Sequence, residues 1–266
     1  MKDKIKIKLK TPITYYGGKQ KMLQYILPLM PEHNLYCEPF AGGAAVFFAK
    51  EPVSINVIND LNNALITFYK VLKSKPEELK SRINDTLHSR EQHNHAWYVY
   101  SNLEYFTDVD CAWAVFVLSK QGFAGQFSSS FGFDKKEGKY SLKVKNAKLL
   151  LTDDLIGLLE RTTIECDDAL AIIKRFDYES AFFFVDPPYV NANMGHYSGM
   201  FNEQNLTELL TLLAAIKGKF MLTMYPLELI KQFADRHGWT IKEINRKVSV
   251  STKSQKDVSE WLVMNY

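Results

Sequence analysis

The stretch Ala181-Phe182-Phe183-Phe184-Val185-Asp186-Pro187-Pro188-Tyr189 decides the fold of this 266-residue chain. Its first five residues are all apolar, which is typical of a central parallel strand that helices cover on both faces. The run ends abruptly at Asp186, and the two prolines that follow cannot continue a strand ladder because they lack an amide N–H. We therefore predict a buried strand over residues 181–185, with Asp186 at its carboxyl end, where open α/β sheets bind their ligands.

Strands and helices alternate on both sides of this stretch. Upstream, strands are predicted over residues 35–38 and 54–59, and helices over residues 22–29, 44–50 and 64–72. Downstream, helices over residues 205–216 and 227–237 flank a strand over 220–224, and the segments from residue 240 and over 261–264 form a terminal antiparallel pair. This alternation predicts an α/β fold with a mostly parallel sheet.

The pattern changes between about residues 75 and 160. Helix-like stretches rich in His, Trp and Tyr are followed by a segment that glycines interrupt and that carries serines, phenylalanines and lysines. We interpret this part of the chain as an insertion. The predicted domains are therefore a discontinuous one over residues 1–74 and 161–266, and an inserted, mainly helical one over residues 75–160.

The residues after the buried strand suit a planar substrate that bears an amine. The rigid prolines hold their carbonyls out of the sheet, and Tyr189 offers a stacking face. The lone pair of an exocyclic amine such as adenine N6 is delocalised into its ring. Accepting its two N–H groups on the Asp186 carboxylate and the Pro187 carbonyl would localise that lone pair and aim it at an electrophilic methyl group. Because an aspartate is a weak base toward a neutral amine, proton loss is expected after methyl transfer. A plain strand end is the alternative interpretation.

A second motif, Glu38-Pro39-Phe40-Ala41-Gly42-Gly43, lies between the first strand and its helix. Its small residues allow the backbone to approach a ligand closely. Asp60 ends the next strand, about 20 residues further on, where a carboxylate can hold ribose hydroxyls. The chain has no G-x-G-x-x-G and no P-loop, which disfavours diphosphate binding. The joint placement of Glu38 and Asp60 favours a nucleoside-containing cofactor, although either acid alone is as consistent with a solvated strand end.

An upstream cluster, Tyr15-Tyr16-Gly17-Gly18-Lys19, is by itself no more than a surface turn. Taken in order with the Glu38 to Gly43 motif, Asp60, Asp168-Ala169-Leu170 and Asp186-Pro187-Pro188-Tyr189, it resembles the motif set of the Dam-like (D12 class) DNA adenine-N6 methyltransferases. The last strand, over residues 260–266, is similar too. This resemblance covers nearly the whole chain apart from the insertion, and the order and spacing of its motifs make it highly specific.

The resemblance implies a Rossmann-like, S-adenosyl-methionine-dependent methyltransferase sheet, with a flipped adenine in duplex DNA as the methyl acceptor. It implies catalytic roles for Asp186, Pro187, Pro188 and Tyr189. The residues that it implies around S-adenosyl-L-methionine are Tyr15, Tyr16, Gly17, Gly18, Lys19, Glu38, Phe40, Ala41, Gly42, Gly43, Asp60, Asp168 and Asp186. Asp60 would hold the ribose, and Asp168, or its neighbour Asp167, would lie beside the cofactor adenine.

This chain departs from the family pattern at two places. Ala44 stands where the family commonly has a third glycine, and Tyr15-Tyr16 stands where Trp-Ala is frequent. The first change conserves a small side chain. The second leaves open which of the two tyrosine rings touches the cofactor.

In the resembling family, the position of the insertion holds the target-recognition domain. The DNA contacts expected here are Gln121, Gln126, Ser128, Ser129, Lys135, Lys136, Lys139 and Lys253. Lysines can track phosphates, and glutamine can bind adenine through two hydrogen bonds. Lys143, Lys145 and Lys148 are further phosphate candidates. A solvated face accounts for this lysine cluster as well.

Composition limits the other classes of function. The net charge is only +3, so it does not by itself indicate a polyanion partner. Three widely spaced cysteines predict neither a disulfide framework nor a zinc site, and His88, His93 and His95 are expected to be packing or surface residues, so no metal is expected. No run approaches the roughly 20 apolar residues of a membrane span, and no signal peptide is evident. We expect a cytoplasmic, DNA-associated monomer of a bacterial or phage-infected cell.

Three alternatives remain open at this stage. An RNA adenine or protein glutamine N-methyltransferase uses a similar proline-proline-aromatic pocket, although by resemblance such proteins more often carry Asn at the first position. A catalytically silent DNA-binding subunit would retain the fold, but this chain has every acid that the chemistry needs. A Rossmann oxidoreductase is disfavoured because the phosphate-binding fingerprint is missing.

Overall fold

The computed structural model describes residues 7–190, 201–251 and 254–266, except for the side chains of residue 124 and residues 247–257. The described strands form one sheet of seven, in the order β3-β2-β1-β4-β5-β7-β6. Their bounds are β1 Leu35–Glu38, β2 Ile55–Asn59, β3 Thr162–Glu165, β4 Ala181–Val185, β5 Lys219–Met224, β6 Thr240–Ser251 and β7 Ser254–Met264. The first five strands are parallel, and β7 pairs antiparallel with both β5 and β6.

Eleven α-helices lie among the described residues. They are α1 Leu23–Ile26, α2 Ala45–Ala49, α3 Asn63–Ser74, α4 Pro76–Asn84, α5 Arg90–Ser101, α6 Asp108–Gln121, α7 Lys139–Lys148, α8 Asp153–Glu160, α9 Ala169–Phe176, α10 Glu203–Leu213 and α11 Glu228–His237. Four short 3₁₀ turns, at Lys19–Lys21, Leu27–Leu29, Leu103–Tyr105 and Phe123–Gly125, join some of them. The predicted α/β class, its parallel strands and its terminal antiparallel pair are confirmed.

The differences from the predicted elements have local causes. The helix predicted over residues 22–29 is one α-helical turn between two 3₁₀ turns, because Pro28 cannot donate a helical hydrogen bond. Helix α10 begins at Glu203, two residues earlier than predicted, because Asn202 and Asn205 form a reciprocal capping box. Strand β3 and helix α9 were not predicted. Strand β3 is a short edge strand with only one buried residue, so its sequence has no apolar run.

Alternate residues of β4 face two different hydrophobic clusters. Phe182 and Phe184 pack with α3, α6 and α8, whereas Phe183 and Val185 pack with α9, α10 and α11. Helices therefore cover both faces, as the continuous apolar run predicts. Helix α6 of the insertion is almost wholly buried in the first cluster. The hydrophobic core is thus continuous across residue 75, and the two predicted domain ranges stay a prediction.

The sheet changes direction between β1 and β4. From β1 the strand order runs through β2 to β3 on one side, and from β4 through β5 on the other. Such a switch point leaves a crevice at the carboxyl ends of the two central strands, where the following connections turn to opposite faces. Glu38 ends β1 and Asp186 follows β4, so both motifs meet at this crevice. In the described part of the chain, no helix is both long and apolar enough to cross a membrane.

Candidate active site

A cavity of about 270 Å³ opens at the switch point. Nearly every residue expected around the cofactor or the reacting base lies on its wall. Its lining residues include Tyr15, Tyr16, Gly17, Gly18, Lys19, Glu38, Phe40, Ala41, Gly42, Gly43, Asp60, Asp186, Pro187, Pro188 and Tyr189. Leu61, Tyr225 and Arg246 also line the cavity and were not predicted. Asp168 does not line it, but the adjacent Ala169 does.

The turn after β1 has a backbone that only small residues allow. Gly42 has a φ of +49°, and a Cβ there would lie 2.9 Å from Cδ1 of Tyr15. The Tyr15 ring therefore packs directly on the glycine backbone, and any side chain would displace it. Ala44, where the resembling family commonly has glycine, also has a left-handed φ of +49°. This conformation explains physically why glycine is favoured at that position.

Glu38 stabilises this turn through two hydrogen bonds. Its side chain is buried, and Oε1 accepts hydrogen bonds from the Tyr36 hydroxyl at 2.5 Å and from the Phe47 backbone N–H at 2.6 Å. Phe47 lies in the first turn of α2, so this carboxyl ties β1 to that helix. Burial raises the pKa of Glu38 to about 8, and the nearby Asp186 acts in the same direction.

We predict that Glu38 makes the protein less stable as the pH rises. Its pKa is about 8 in the folded protein, against 4.5 for an ordinary glutamate. The contribution of protonated Glu38 to the free energy of unfolding is therefore full below about pH 4.5, and it is lost as the pH rises through 8. Denaturant unfolding without cofactor should lose roughly 2–4 kcal/mol over this range. In Glu38→Gln the loss should be smaller by about this amount.

The control for this measurement is Glu179→Gln, which changes an exposed glutamate. It should retain the pH dependence of the unmodified chain. A pH dependence of Glu38→Gln equal to that of the control would contradict the assignment.

Asp60 holds the other end of the turn. Its Oδ2 accepts the Gly42 N–H and its Oδ1 accepts the Asn62 N–H, each at 2.9 Å. Asn62 caps helix α3, and its amide donates to the Tyr100 hydroxyl at 3.1 Å. Burial raises the pKa of Asp60. Each carboxylate oxygen has two acceptor positions, so Asp60 can still accept a hydrogen bond from a ligand in the cavity.

Asn59 is a further organising residue that was not predicted. Its buried side chain donates to the carbonyls of Pro39 and Asp167, each at 2.9 Å, and accepts from the Asp167 N–H. It therefore joins the turns after β1 and β3. Asp167 pairs with Arg175, whereas Asp168 is exposed and caps helix α9 through the Ala171 N–H. Neither carboxylate is aimed at the cavity by these contacts, so the role expected for Asp168 stays a prediction.

Asp186 is held by a cation and a hydroxyl. Nζ of Lys19 lies 2.7 Å from Oδ1 and 2.8 Å from Oδ2 of Asp186, and the Thr223 hydroxyl donates to Oδ1 at 2.5 Å. Burial raises the pKa of Asp186, while Lys19 and the hydrogen bonds oppose that rise. Lys19 also donates to the Gly17 carbonyl at 3.0 Å. The glycine turn upstream of β1 and the end of β4 are thus joined through one ammonium group.

Tyr189 is anchored at its hydroxyl by a residue from the last strand. The hydroxyl donates to Oε1 of Glu260 at 2.6 Å, and the Tyr189 ring meets the Tyr225 ring edge-to-face at 4.5 Å. Glu260 is fully buried and also accepts from Nη2 of Arg246 at 2.7 Å. No role was predicted for Thr223, Tyr225, Arg246 or Glu260. The sequence feature that could have identified Glu260 is a single acidic residue directly before the apolar run 261–264.

Gln121 is a correction to the expected DNA contacts. Its side chain is fully buried at the end of α6, where Nε2 donates to the Leu87 carbonyl at 2.7 Å and Oε1 accepts from the Ser89 N–H. It is therefore part of the scaffold. Ser128 is exposed and Gln126 is half-buried, but the Ser129 hydroxyl lies 2.6 Å from the Gln126 carbonyl. Lys253 lies outside the described residues.

The lysines of the insertion differ in their surroundings. Asp134 accepts the N–H groups of Glu137 and Gly138, and this turn leaves Lys135 and Lys136 exposed. Lys139 is exposed and pairs with Glu137. In contrast, Lys148 donates to two backbone carbonyls at 2.7 Å, at the end of α4, and thus has a structural role that its sequence did not reveal. Within the described residues, no cluster of side chains could hold a metal ion.

Comparison with known proteins agrees with this geometry. A family model described as D12 class N6 adenine-specific DNA methyltransferase matches residues 15–250. The chain is 30% identical to the Type II methyltransferase M1.LlaDCHI of Lactococcus lactis subsp. cremoris, over 71% of this chain and 68% of that protein. It is 24% identical to the Type II methyltransferase M.CviBI of Paramecium bursaria Chlorella virus NC1A, over 90% and 91%. It is also 28% identical to the DNA N-6-adenine-methyltransferase of Escherichia phage P1, but spans only 32% of that protein's length.

Proposed function

Since this chain belongs to the D12 class of N6 adenine-specific DNA methyltransferases, we propose that it transfers a methyl group from S-adenosyl-L-methionine to N6 of an adenine extruded from duplex DNA at a specific site. The observation that carries this proposal is the position of Asp186. Its half-buried carboxylate, neutralised by Lys19, lies beside Tyr189 at the switch point of the sheet.

Features of the cavity support S-adenosyl-L-methionine as the methyl donor. Its volume of about 270 Å³ is close to the lower limit of roughly 300 Å³ for small-molecule pockets. The cradle at Gly42, which a Cβ would fill, lets the backbone approach a ligand. Asp60 would accept ribose hydroxyls, and the exposed apolar side chain of Leu61 beside it would contact the adenine. When bound, the sulfonium supplies an electrophilic methyl group.

Asp186 retains room for the acceptor amine. A carboxylate offers about four acceptor positions. Lys19 uses one on each oxygen and Thr223 uses a second on Oδ1, which leaves one on Oδ2. We assign that position to one N6–H of adenine and the Pro187 carbonyl to the other. Tyr189 would stack on the ring, and Asp186, whose pKa burial raises, would accept the proton after methyl transfer.

The insertion over residues 75–160 is proposed as the target-recognition domain. Lys135 and Lys136 support this role because they are exposed and belong to no ion pair described for this chain. Lys139, Gln126, Ser128, Ser129 and Lys253 remain proposed contacts. We further propose that the protein acts as a monomer in the cytoplasm, because one extruded base needs only one active site.

Replacement of Lys135 and Lys136 by alanine is expected to reduce the salt dependence of DNA binding. Each lost phosphate contact should lower the slope of log K against log salt by about 0.9, so the double variant should lose about 1–2. Fluorescence anisotropy of a labelled duplex, titrated at several salt concentrations, measures this slope.

The charge-matched control is Lys174→Ala with Lys217→Ala. Both lysines are exposed and precede the amino ends of β4 and β5, at the edge of the sheet opposite the cavity. The control should leave the slope unchanged. An equal slope for both double variants would remove Lys135 and Lys136 from the DNA interface.

The experiment that tests the function is methyl transfer from labelled S-adenosyl-L-methionine to unmodified duplex DNA, followed by digestion and identification of the labelled nucleoside. N6-methyladenine is the expected product. Label in RNA or in protein glutamine instead would overturn the choice of acceptor. Cofactor binding without any transfer would favour the catalytically silent DNA-binding subunit.

A further inference from the structure

We propose that Glu260 is a positioning residue for methyl transfer. Its one buried carboxylate holds Tyr189, Arg246 and Lys19 around the acceptor base. This inference rests on the proposed function, and it concerns a residue that touches neither the cofactor nor the base. Its side chain has no exposed surface, and both of its oxygens are occupied.

The register of strand β7 determines where Glu260 lies in the sheet. Strand β7 lies between β5 and β6, and it extends beyond the last residue of β5, where Met224 pairs with Trp261. Glu260, which precedes Trp261 in β7, therefore lies at the carboxyl edge of the sheet, one residue beyond the end of β5. On β6 its direct partner is Ile244, so Arg246 is its diagonal neighbour on the same face.

Glu260 is ionised despite its burial. Burial by itself opposes the charged form, but Lys19, the Tyr189 hydroxyl and Arg246 outweigh it, so the pKa of Glu260 lies below its usual range. Two neighbouring carboxylates with only one cation between them would leave one negative charge uncompensated. Here two carboxylates, Asp186 and Glu260, balance two cations, Lys19 and Arg246.

Lys19 lies between the two carboxylates. Its Nζ is 2.7 Å from Asp186 and 3.6 Å from Oε1 of Glu260. The N6–H of adenine, at the free acceptor position of Oδ2, would share that oxygen with the ammonium. Glu260 provides a second anion toward which Lys19 can shift without leaving the site. Glu260 thereby holds Lys19 in place while Asp186 accepts hydrogen bonds from both the ammonium and the substrate.

Tyr189 and Arg246 depend on the same carboxylate. The hydroxyl bond to Oε1 fixes the rotation and tilt of the Tyr189 ring, on which the base would stack. Arg246 lines the cavity, and its Nη2 donates to Oε2 of Glu260 at 2.7 Å, which anchors the guanidinium there. A displacement of about 1 Å at a reacting group can reduce rate by about 100-fold, so loss of this anchor is expected to affect kcat more than binding.

Glu260→Gln tests the proposal because it retains the shape and removes the charge. We expect kcat for DNA methylation to fall roughly 10- to 100-fold, with the KM for S-adenosyl-L-methionine changed less than about threefold. The acid limb of the kcat profile should move to lower pH, because the negative charge of Glu260 raises the pKa of Asp186. The groups that face Asp186 and set this limb are Lys19, Glu38, Tyr189, Thr223 and Glu260. A merely structural defect would lower the active fraction without moving the pH limb.

Two further variants keep the proposal falsifiable. Glu243→Gln removes an exposed glutamate on β6, whose contact is the Ser259 hydroxyl, and should leave kcat and its pH profile unchanged. Tyr189→Phe removes the bond to Glu260 while retaining both charges and the ring, so it should lower kcat without moving the acid limb. It is informative even where Glu260→Gln fails to fold.

The outcomes separate this proposal from the proposed function. Unmodified protein must first form N6-methyladenine in DNA, and its failure to do so would overturn the function itself. With that activity present, a kcat and acid limb of Glu260→Gln equal to those of Glu243→Gln would overturn the role of Glu260. If Glu260→Gln does not fold, an unchanged kcat in Tyr189→Phe would overturn it as well.

Discussion

Asp186→Ala is expected to abolish methyl transfer, lowering kcat by more than about 1,000-fold, because one carboxylate both orients the acceptor amine and takes up its proton. No neighbouring acid can replace it. Glu38 is committed to Tyr36 and Phe47, and Glu260 to Tyr189 and Arg246. Single-turnover transfer to DNA from labelled S-adenosyl-L-methionine measures the loss directly.

The same variant should retain its fold and its DNA affinity. Removal of Asp186 leaves Lys19 beside Glu260, 3.6 Å away, so the buried ammonium still has an opposite charge. Asp235→Ala, which removes an exposed aspartate paired with Lys231, is the matched control and should transfer methyl groups normally. Activity of Asp186→Ala within tenfold of this control would show that the catalytic assignment is wrong.

Asp60→Ala is expected to produce the largest loss of cofactor affinity, roughly 10- to 100-fold. A hydrogen bond to a charged group contributes about 1.5–3 kcal/mol, and the variant loses the carboxylate that would bind the ribose. It also leaves the Gly42 and Asn62 N–H groups without their acceptor, so the glycine turn itself should loosen. Equilibrium titration with S-adenosyl-L-methionine gives the dissociation constant.

Asp60→Asn separates the two contributions. It retains one side-chain oxygen for a backbone N–H but has no negative charge, so its affinity should lie between those of the unmodified chain and Asp60→Ala. At saturating cofactor, kcat should recover in both variants, because Asp60 is remote from the acceptor amine in the proposed site. A dissociation constant of Asp60→Ala within threefold of that of the unmodified chain would exclude Asp60 from the cofactor site.

Much of the fold was predictable because buried elements have a clear pattern of apolar residues in the sequence. The run 181–185 predicts a central strand, since only a strand covered on both faces is apolar at every position. Strand β3 has no comparable pattern, because it is a half-exposed edge strand. The helix predicted over residues 22–29 is only one α-helical turn, because Pro28 interrupts it. Periodicity detects buried surface, and β3 buries little.

Most residues expected at the cavity lie there because they end parallel strands or occupy the turns that follow. Parallel strands place their carboxyl ends at one edge, so Glu38, Asp60 and Asp186 had to come close to each other once the strands were recognised. The ordered motifs further determined the class of chemistry, because the turn at Gly42 and the acid at Asp186 are local features of sequence.

Only the tertiary structure decided which polar side chains serve the scaffold and which face the cavity. Gln121 and Lys148 are residue types that often contact DNA. Here their side chains instead donate hydrogen bonds to backbone carbonyls more than 30 residues away in the chain. Glu260 reaches Tyr189 across 71 residues through the pairing of β7 with β5. The sequence by itself determined the sheet and the acids at its edge, because those depend on local burial patterns and strand ends. Hydrogen-bond partners between distant segments depend on register and packing, which no local pattern contains.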